Sequence, residues 1–203
     1  MFLESIRILK CKPQLIKYHN ERVNNTLKVH YGTSKKINLA NFIDTSNLEP
    51  SVEYKCRVIY DRAIQSVELL PYVRRSIYSI QLVKMMNTIE YPYKRVERNE
   101  LDQLYSMRGK HDEIIILNNQ GFVTDGYYYN IILAKDGKLY TPDTCLLNGV
   151  MRASLLNKSI LDETKIHKND IPNYDRIFLV NAMNPLGTVS IEISNIHFPE
   201  NGG

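Results

Sequence analysis

The sequence predicts an α+β chain made of two small α/β domains, residues 1–88 and 89–203, with a cleft between them. Three observations carry this. Helical spacing and short strand-like runs alternate in both halves. Turn signals at Asp61-Arg62 and Asp136-Gly137 each sit between two strand-like runs, as antiparallel hairpins require. No Pro/Gly/Ser-rich linker separates independent modules, so the halves should meet directly near residues 86–91, and two-domain clefts are favoured ligand sites.

Residues 2–10 read as a strand, followed by a turn at Lys12-Pro13. Leu15, Tyr18, His19, Arg22, Val23 and Thr26 recur at helical spacing and predict a helix ending near Tyr31-Gly32. A short helical stretch, Ile37 to Phe42, comes next. Tyr54 to Pro71 alternates around Asp61-Arg62 and predicts a hairpin, with a further strand at Ile77–Met85. In the second half, Val96 to Met107 reads as a helix stopped by Arg108-Gly109. Glu113–Leu117 is a run without alternation and predicts a buried strand, continued by Phe122–Thr124 after the Asn118–Gly121 turn. Ile131–Ala134 and Lys138–Thr141 flank Asp136-Gly137, where both positions tolerate positive φ. Asn148 suits the cap of a helix from Gly149 to about Leu161, and Ile177–Val180 and Thr188–Ile193 supply the last strands.

Composition excludes several classes. An apolar fraction of 43% and a charged fraction of 24% over 203 residues are those of a soluble globular protein. No stretch reaches the apolar length of a membrane span, and the charged N-terminus does not suit an export signal, so a cytoplasmic protein without a membrane partner is expected. Cys11, Cys56 and Cys145 are scattered, with no CxxC pair, which argues against a disulfide framework or a zinc site. The net charge of +4 is spread along the chain, and Lys35-Lys36 and Arg74-Arg75 are too short for a nucleic-acid stripe.

The chemistry-bearing residues are Lys94 and, some thirty positions later, Asp125 on a strand-ending turn. A lysine and a carboxylate are what an enzyme using pyridoxal 5′-phosphate (PLP) needs. The lysine forms the Schiff base, and the carboxylate keeps the pyridinium nitrogen protonated so that the ring acts as an electron sink. That spacing is unspecific alone. It gains weight from a set of words in order: His19-x-x-Arg22, Lys94, Gly121-Phe122-Val123-Thr124-Asp125, Asn130-Ile131, Tyr140-Thr141-Pro142, Leu147-Asn148-Gly149-Val150-Met151-Arg152 and Asn181-Ala182-Met183-Asn184-Pro185. Together they resemble the class IV aminotransferase family, the fold type IV PLP group with a D-amino-acid aminotransferase-like architecture. The short length and the Asn181–Pro185 segment look most similar to its 4-amino-4-deoxychorismate lyase-like members.

The resemblance implies a role for each matching residue. Lys94 takes the place of the Schiff-base lysine and of the acid/base at the substrate carbon. Asp125 stands where the family usually carries glutamate, one methylene longer. Arg22 resembles the arginine that grips the cofactor phosphate, whose geometry suits a guanidinium fork. Gly149, Val150 and Met151 open a helix where the family offers backbone amides to that phosphate, and Met151 replaces a common threonine. From placement alone, Arg57 and Tyr60 on the first hairpin are candidates for the substrate carboxylate. His19 reads as a half-buried histidine bonded to a backbone carbonyl. Among Tyr127, Tyr128 and Tyr129, alternation sends one or two toward a cofactor pocket and the rest elsewhere. The implied activity is conversion of 4-amino-4-deoxychorismate to 4-aminobenzoate and pyruvate, in folate biosynthesis. A branched-chain or D-amino-acid aminotransferase is the alternative, and a non-catalytic PLP- or anion-binding relative stands behind it. The implied partners are a small-molecule amine and a second copy of the chain as a homodimer.

Overall fold

The computed structural model describes residues 1–198, and the chain forms two compact units. The first is Met1–Arg74 with Tyr93–Glu97, and the second is Arg75–Pro92 with the described residues from Arg98 onward. The expected divide at 88/89 is therefore replaced by a crossing at Arg74/Arg75, and the Lys94 segment returns to the first unit. Backbone pairing explains the return. Leu3 N–H donates to Lys94 C=O at 2.9 Å, Val96 N–H donates to Met1 C=O at 3.2 Å, and Phe2 bridges Arg95. Extended pairing holds these residues, so the expected helix from Val96 begins only at Asn99.

In the first unit, strand β1 (Phe2–Leu9) leads through β2 (Lys12–Pro13) into helix α1 (Ile16–Tyr31), followed by β3 (Tyr54–Tyr60) and β4 (Ile64–Pro71). The sheet order is β2-β1-β3-β4, all antiparallel. Alternation along β1 buries Phe2, Glu4, Ile6 and Ile8, and along β3 it buries Cys56, Val58 and Tyr60. The apolar ones among them and Tyr60 pack with Val23 and Leu27 of α1 in one core. Helix α1 stops at Gly32, which adopts φ 65° and donates its N–H to Lys28 C=O, the left-handed ending glycine allows at least cost. The expected helix over Ile37–Phe42 is a single 3-10 turn, Leu39–Phe42. Asn24 and Asn20 of α1 accept the N–H groups of Ile37 and Leu39, so this backbone bonds to a neighbour rather than to itself.

The second unit carries β5 (Ile80–Lys84), α2 (Asn99–Ser106), β6 (Glu113–Leu117), β7 (Val123–Gly126), β8 (Asn130–Lys135), β9 (Lys138–Pro142), α3 (Val150–Asn157), β10 (Asp162–Thr164), β11 (Arg176–Val180), β12 (Ser190–Glu192) and β13 (Ile196–His197). The sheet runs β10-β9-β8-β7-β6-β5-β13, with β11 pairing both β8 and β12. β6 explains its own lack of alternation. Ile114 and Ile116 pack in a cluster with Leu101 and Leu104 of α2, while Ile115 and Leu117 pack in another with Ile131, Leu133 and Leu179. Both faces are covered, so every position is apolar except Glu113. The β8–β9 turn places Asp136 at φ 50° and Gly137 at φ 74°, as the hairpin signal predicts. α3 is shorter than expected and ends at Asn157.

Ile131 is fully buried in the second unit's core. Ile131→Ala should cost about 2–5 kcal/mol, seen as a lower urea midpoint. A loss under about 0.5 kcal/mol, the scale of a surface change, would contradict this packing.

Candidate active site

In the first unit the polar groups gather on β1 and α1. Glu4 points inward from β1 and is fully buried. The lone ionisable residue in the buried register of β1 demands compensation, because an isolated buried carboxylate is costly. Arg22 supplies it as a fork, with Nε donating to Oε1 at 2.8 Å and Nη2 to Oε2 at 2.6 Å. The His19 ring lies against the same oxygen, Nδ1 to Oε2 at 2.5 Å. Burial pushes the Glu4 pKa up, but the Arg22 charge and the His19 hydrogen bond outweigh it and hold it at about 2. Burial also lowers the His19 pKa, against the opposing pull of Glu4. The neutral imidazole therefore donates its Nδ1 proton to the carboxylate. Nε2 is left buried without a hydrogen-bond partner. His19 is thus bonded to a carboxylate, not to a backbone carbonyl. Lys94 is half-buried on the segment beside β1, and its charge adds the last and smallest contribution to the lowering of His19.

The remaining first-unit candidates separate. Arg57 and Tyr60 differ by an odd number of positions on one strand, so their side chains leave opposite faces. Tyr60 has no exposed surface, lies tilted against Phe2 with ring centroids 5.7 Å apart and belongs to the core. Its expected substrate contact is withdrawn. Arg57 lies half-buried on the other face, with Ser5 and Glu68 as cross-strand neighbours. A shallow hollow of about 640 Å³, lined by residues including Ile16, Asn20 and Asn24, contains none of the candidate residues.

In the second unit Asp125 is the centre. It is 5% exposed at the end of β7. Oδ2 accepts the N–H groups of Leu146 at 2.8 Å and Leu147 at 2.9 Å, and Oδ1 accepts from Asn130 Nδ2 at 2.7 Å. Burial raises its pKa to about 6 against these bonds, so at neutral pH it is an anion. A carboxylate has roughly four acceptor directions, so three N–H groups leave capacity for one more donor. The loop that Asp125 holds leads into α3 through Gly149, the N-cap residue. Asn148 is not the cap, because its Oδ1 accepts from Arg152 Nη1 at 3.1 Å. Arg152 is buried and also donates to Thr141 Oγ1 and Pro142 C=O and pairs with Glu163, tying α3 to β9 and β10. Val150 and Met151, the first helical residues, are buried.

The three tyrosines take three roles. Tyr129 enters the core, Tyr127 stacks on Tyr105 at 4.1 Å under the Arg98 guanidinium, and Tyr128 is half exposed. Glu113 receives the Tyr127 N–H at 3.2 Å and the Ile114 N–H at 2.9 Å, while Oε2 is buried without a partner. Burial lifts its pKa to about 7. Glu4, Glu113, Asn130 and Arg152 were not predicted as site residues. The sequence signals were an acidic residue in a buried register for Glu4, one opening an apolar strand for Glu113, and inclusion in the ordered words for Asn130 and Arg152.

The donor sets suit PLP. A buried carboxylate retains one acceptor direction, a lysine stands half-buried, and a helix opens at a glycine whose β-carbon would come 2.1 Å from Asn130 Oδ1. The α+β fold is that of fold type IV PLP enzymes. Residues 1–191 match the family "Amino-transferase class IV", and the chain belongs to it. Its cofactor is pyridoxal 5′-phosphate. The chain is 35% identical over 185 residues to an uncharacterised protein of Haemophilus influenzae, covering 90% of this chain and 97% of that one. A crystal structure described as a proposed 4-amino-4-deoxychorismate lyase from Haemophilus somnus superposes with a TM-score of 0.84 at 29% identity, over 91% of this chain and 97% of that one. A PLP-bound structure of a hypothetical aminotransferase from Mycobacterium tuberculosis shares the fold, with a TM-score of 0.77 at 16% identity over 96% of this chain and 80% of that one.

Glu113 makes a pH prediction. Its folded pKa of about 7 lies above the ordinary 4.5, so the unfolded state releases the proton first. Stability contributed here is intact below pH 4.5, falls as pH rises to 7 and is flat above, by up to about 3 kcal/mol. Glu113→Gln should match the parent near pH 4 and exceed it near pH 8 in urea denaturation. An equal difference at both pH values would refute the assignment.

Proposed function

We propose that this chain is a PLP-dependent lyase that converts 4-amino-4-deoxychorismate to 4-aminobenzoate and pyruvate. The observation that carries the choice of lyase is the likeness, along nearly the whole length of both chains, to the Haemophilus somnus protein described in those terms. The buried Asp125 carboxylate supports the use of the cofactor. When bound, PLP supplies a carbonyl that condenses with amines and a ring that accepts an electron pair.

The rest is the work of this chain. Lys94 holds the resting cofactor covalently and then moves a proton at the substrate carbon that bears the amino group. Asp125, anionic at neutral pH, keeps a proton on the ring nitrogen through the acceptor direction its three N–H partners leave. Arg22, its plane fixed by Glu4, takes the phosphate with its guanidinium. The Gly149–Met151 amides bind the same phosphate at the opening of α3. Arg57, the surviving candidate of its pair, receives the substrate carboxylate. We assign the active form as a homodimer.

Reduction of the PLP-loaded protein with borohydride, followed by peptide mapping, should label Lys94, and Lys94→Ala should lose the label and at least about 10³-fold in rate. The loaded parent should release pyruvate and 4-aminobenzoate from aminodeoxychorismate. No pyruvate, with nitrogen exchanged between an amino acid and a keto acid, would make it an aminotransferase. A protein that stays colourless with added PLP would make it a non-catalytic relative.

A further inference from the structure

We propose that Asn130 is a positioning residue, which locks the Leu146–Gly149 turn to Asp125 and so couples the carboxylate end of the cofactor site to its phosphate end. The coupling rests on the cofactor reading above, while the lock stands on contacts in the second unit alone. Asn130 opens β8, opposite Asp125 in register, and is 5% exposed. Its Nδ2 donates to Asp125 Oδ1 at 2.7 Å and to Leu147 C=O at 2.8 Å. Both partners are acceptors, so only the NH₂ side of the amide can face them.

That orientation has a consequence on the other side. Oδ1 must turn toward Gly149, where a β-carbon would approach it to 2.1 Å. Gly149 has an ordinary extended backbone, φ −66° and ψ 148°, so glycine is needed there for space rather than for conformation. Asp125 completes the lock by accepting the Leu146 and Leu147 N–H groups. The turn is thus gripped at both its N–H and its C=O groups three and four residues before α3 begins. Neither group alone suffices: Asp125 offers only acceptors to the turn, and the Leu147 carbonyl needs a donor, which the Asn130 amide supplies.

The test uses the full chain, free and loaded with PLP. Amide hydrogen exchange of Leu146 and Leu147 in the free protein reads the lock. In Asn130→Ala both should exchange at least tenfold faster, and PLP affinity, followed by absorbance, should fall at least tenfold while Lys94 stays reducible by borohydride. The pH below which PLP affinity is lost should also rise by about one pH unit, because Asp125 has lost a donor to its charged form. A residue that merely fills space would not move that midpoint. Gly149→Ala, which pushes on the same amide from the other side, should reproduce the faster exchange and serves where Asn130→Ala does not fold. Unchanged exchange in both variants would overturn the lock. Faster exchange with unchanged PLP affinity and midpoint would overturn the coupling. Failure of the parent to bind PLP would instead count against the cofactor reading, and the exchange arm would still decide the lock.

Discussion

Among the described residues three carboxylates are buried, and they organise the polar groups around them, because a carboxylate taken out of water must find partners or keep its proton. Glu4 finds a cation and stays charged far into acid, with a pKa of about 2. Asp125 finds three neutral N–H groups, which compensate burial only in part, and it settles at about 6. Glu113 finds two backbone N–H groups for one oxygen and none for the other, and rises to about 7. The contrast follows the donors: a guanidinium fork overcomes burial at Glu4, while N–H groups without a paired cation leave Asp125 and Glu113 raised.

Each carboxylate also fixes a piece of chain. Glu4 sets the plane of Arg22 and the tautomer of His19 on α1. Glu113 holds the turn that begins at Tyr127. Asp125 and Asn130 hold the turn that leads to α3. The groups proposed to meet the cofactor are therefore backed by buried hydrogen bonds rather than carried on unsupported loops, which is how a site keeps its geometry before the ligand arrives. Asp125 belongs to this arrangement. Its carboxyl reaches the Leu146 and Leu147 amides while retaining one acceptor direction.

Much was legible along the chain. The alternation of β1 and β3, the unbroken β6 and the Asp136-Gly137 turn follow directly from local pattern and backbone preference. The ordered words around Lys94, Asp125 and Gly149 led to the class IV aminotransferases, and residues 1–191 match that family. Where reading failed, a partner outside the local pattern had intervened. The start of the expected helix at Val96 was captured by pairing with β1, the Ile37–Phe42 stretch bonded to asparagines of α1, and Asn148 was drawn from its cap by Arg152.

The sequence by itself determined the class of the protein and its α+β character, because periodicity and ordered motifs are properties of neighbours in the chain. Only the tertiary structure decided that Tyr60 is core and Arg57 is not, that Arg22 leans on Glu4, and that Asn130 forces a glycine at position 149. Those facts depend on which side chains share a buried space. Hydrogen-bond demand in that space is settled among residues tens of positions apart, where local pattern carries no information.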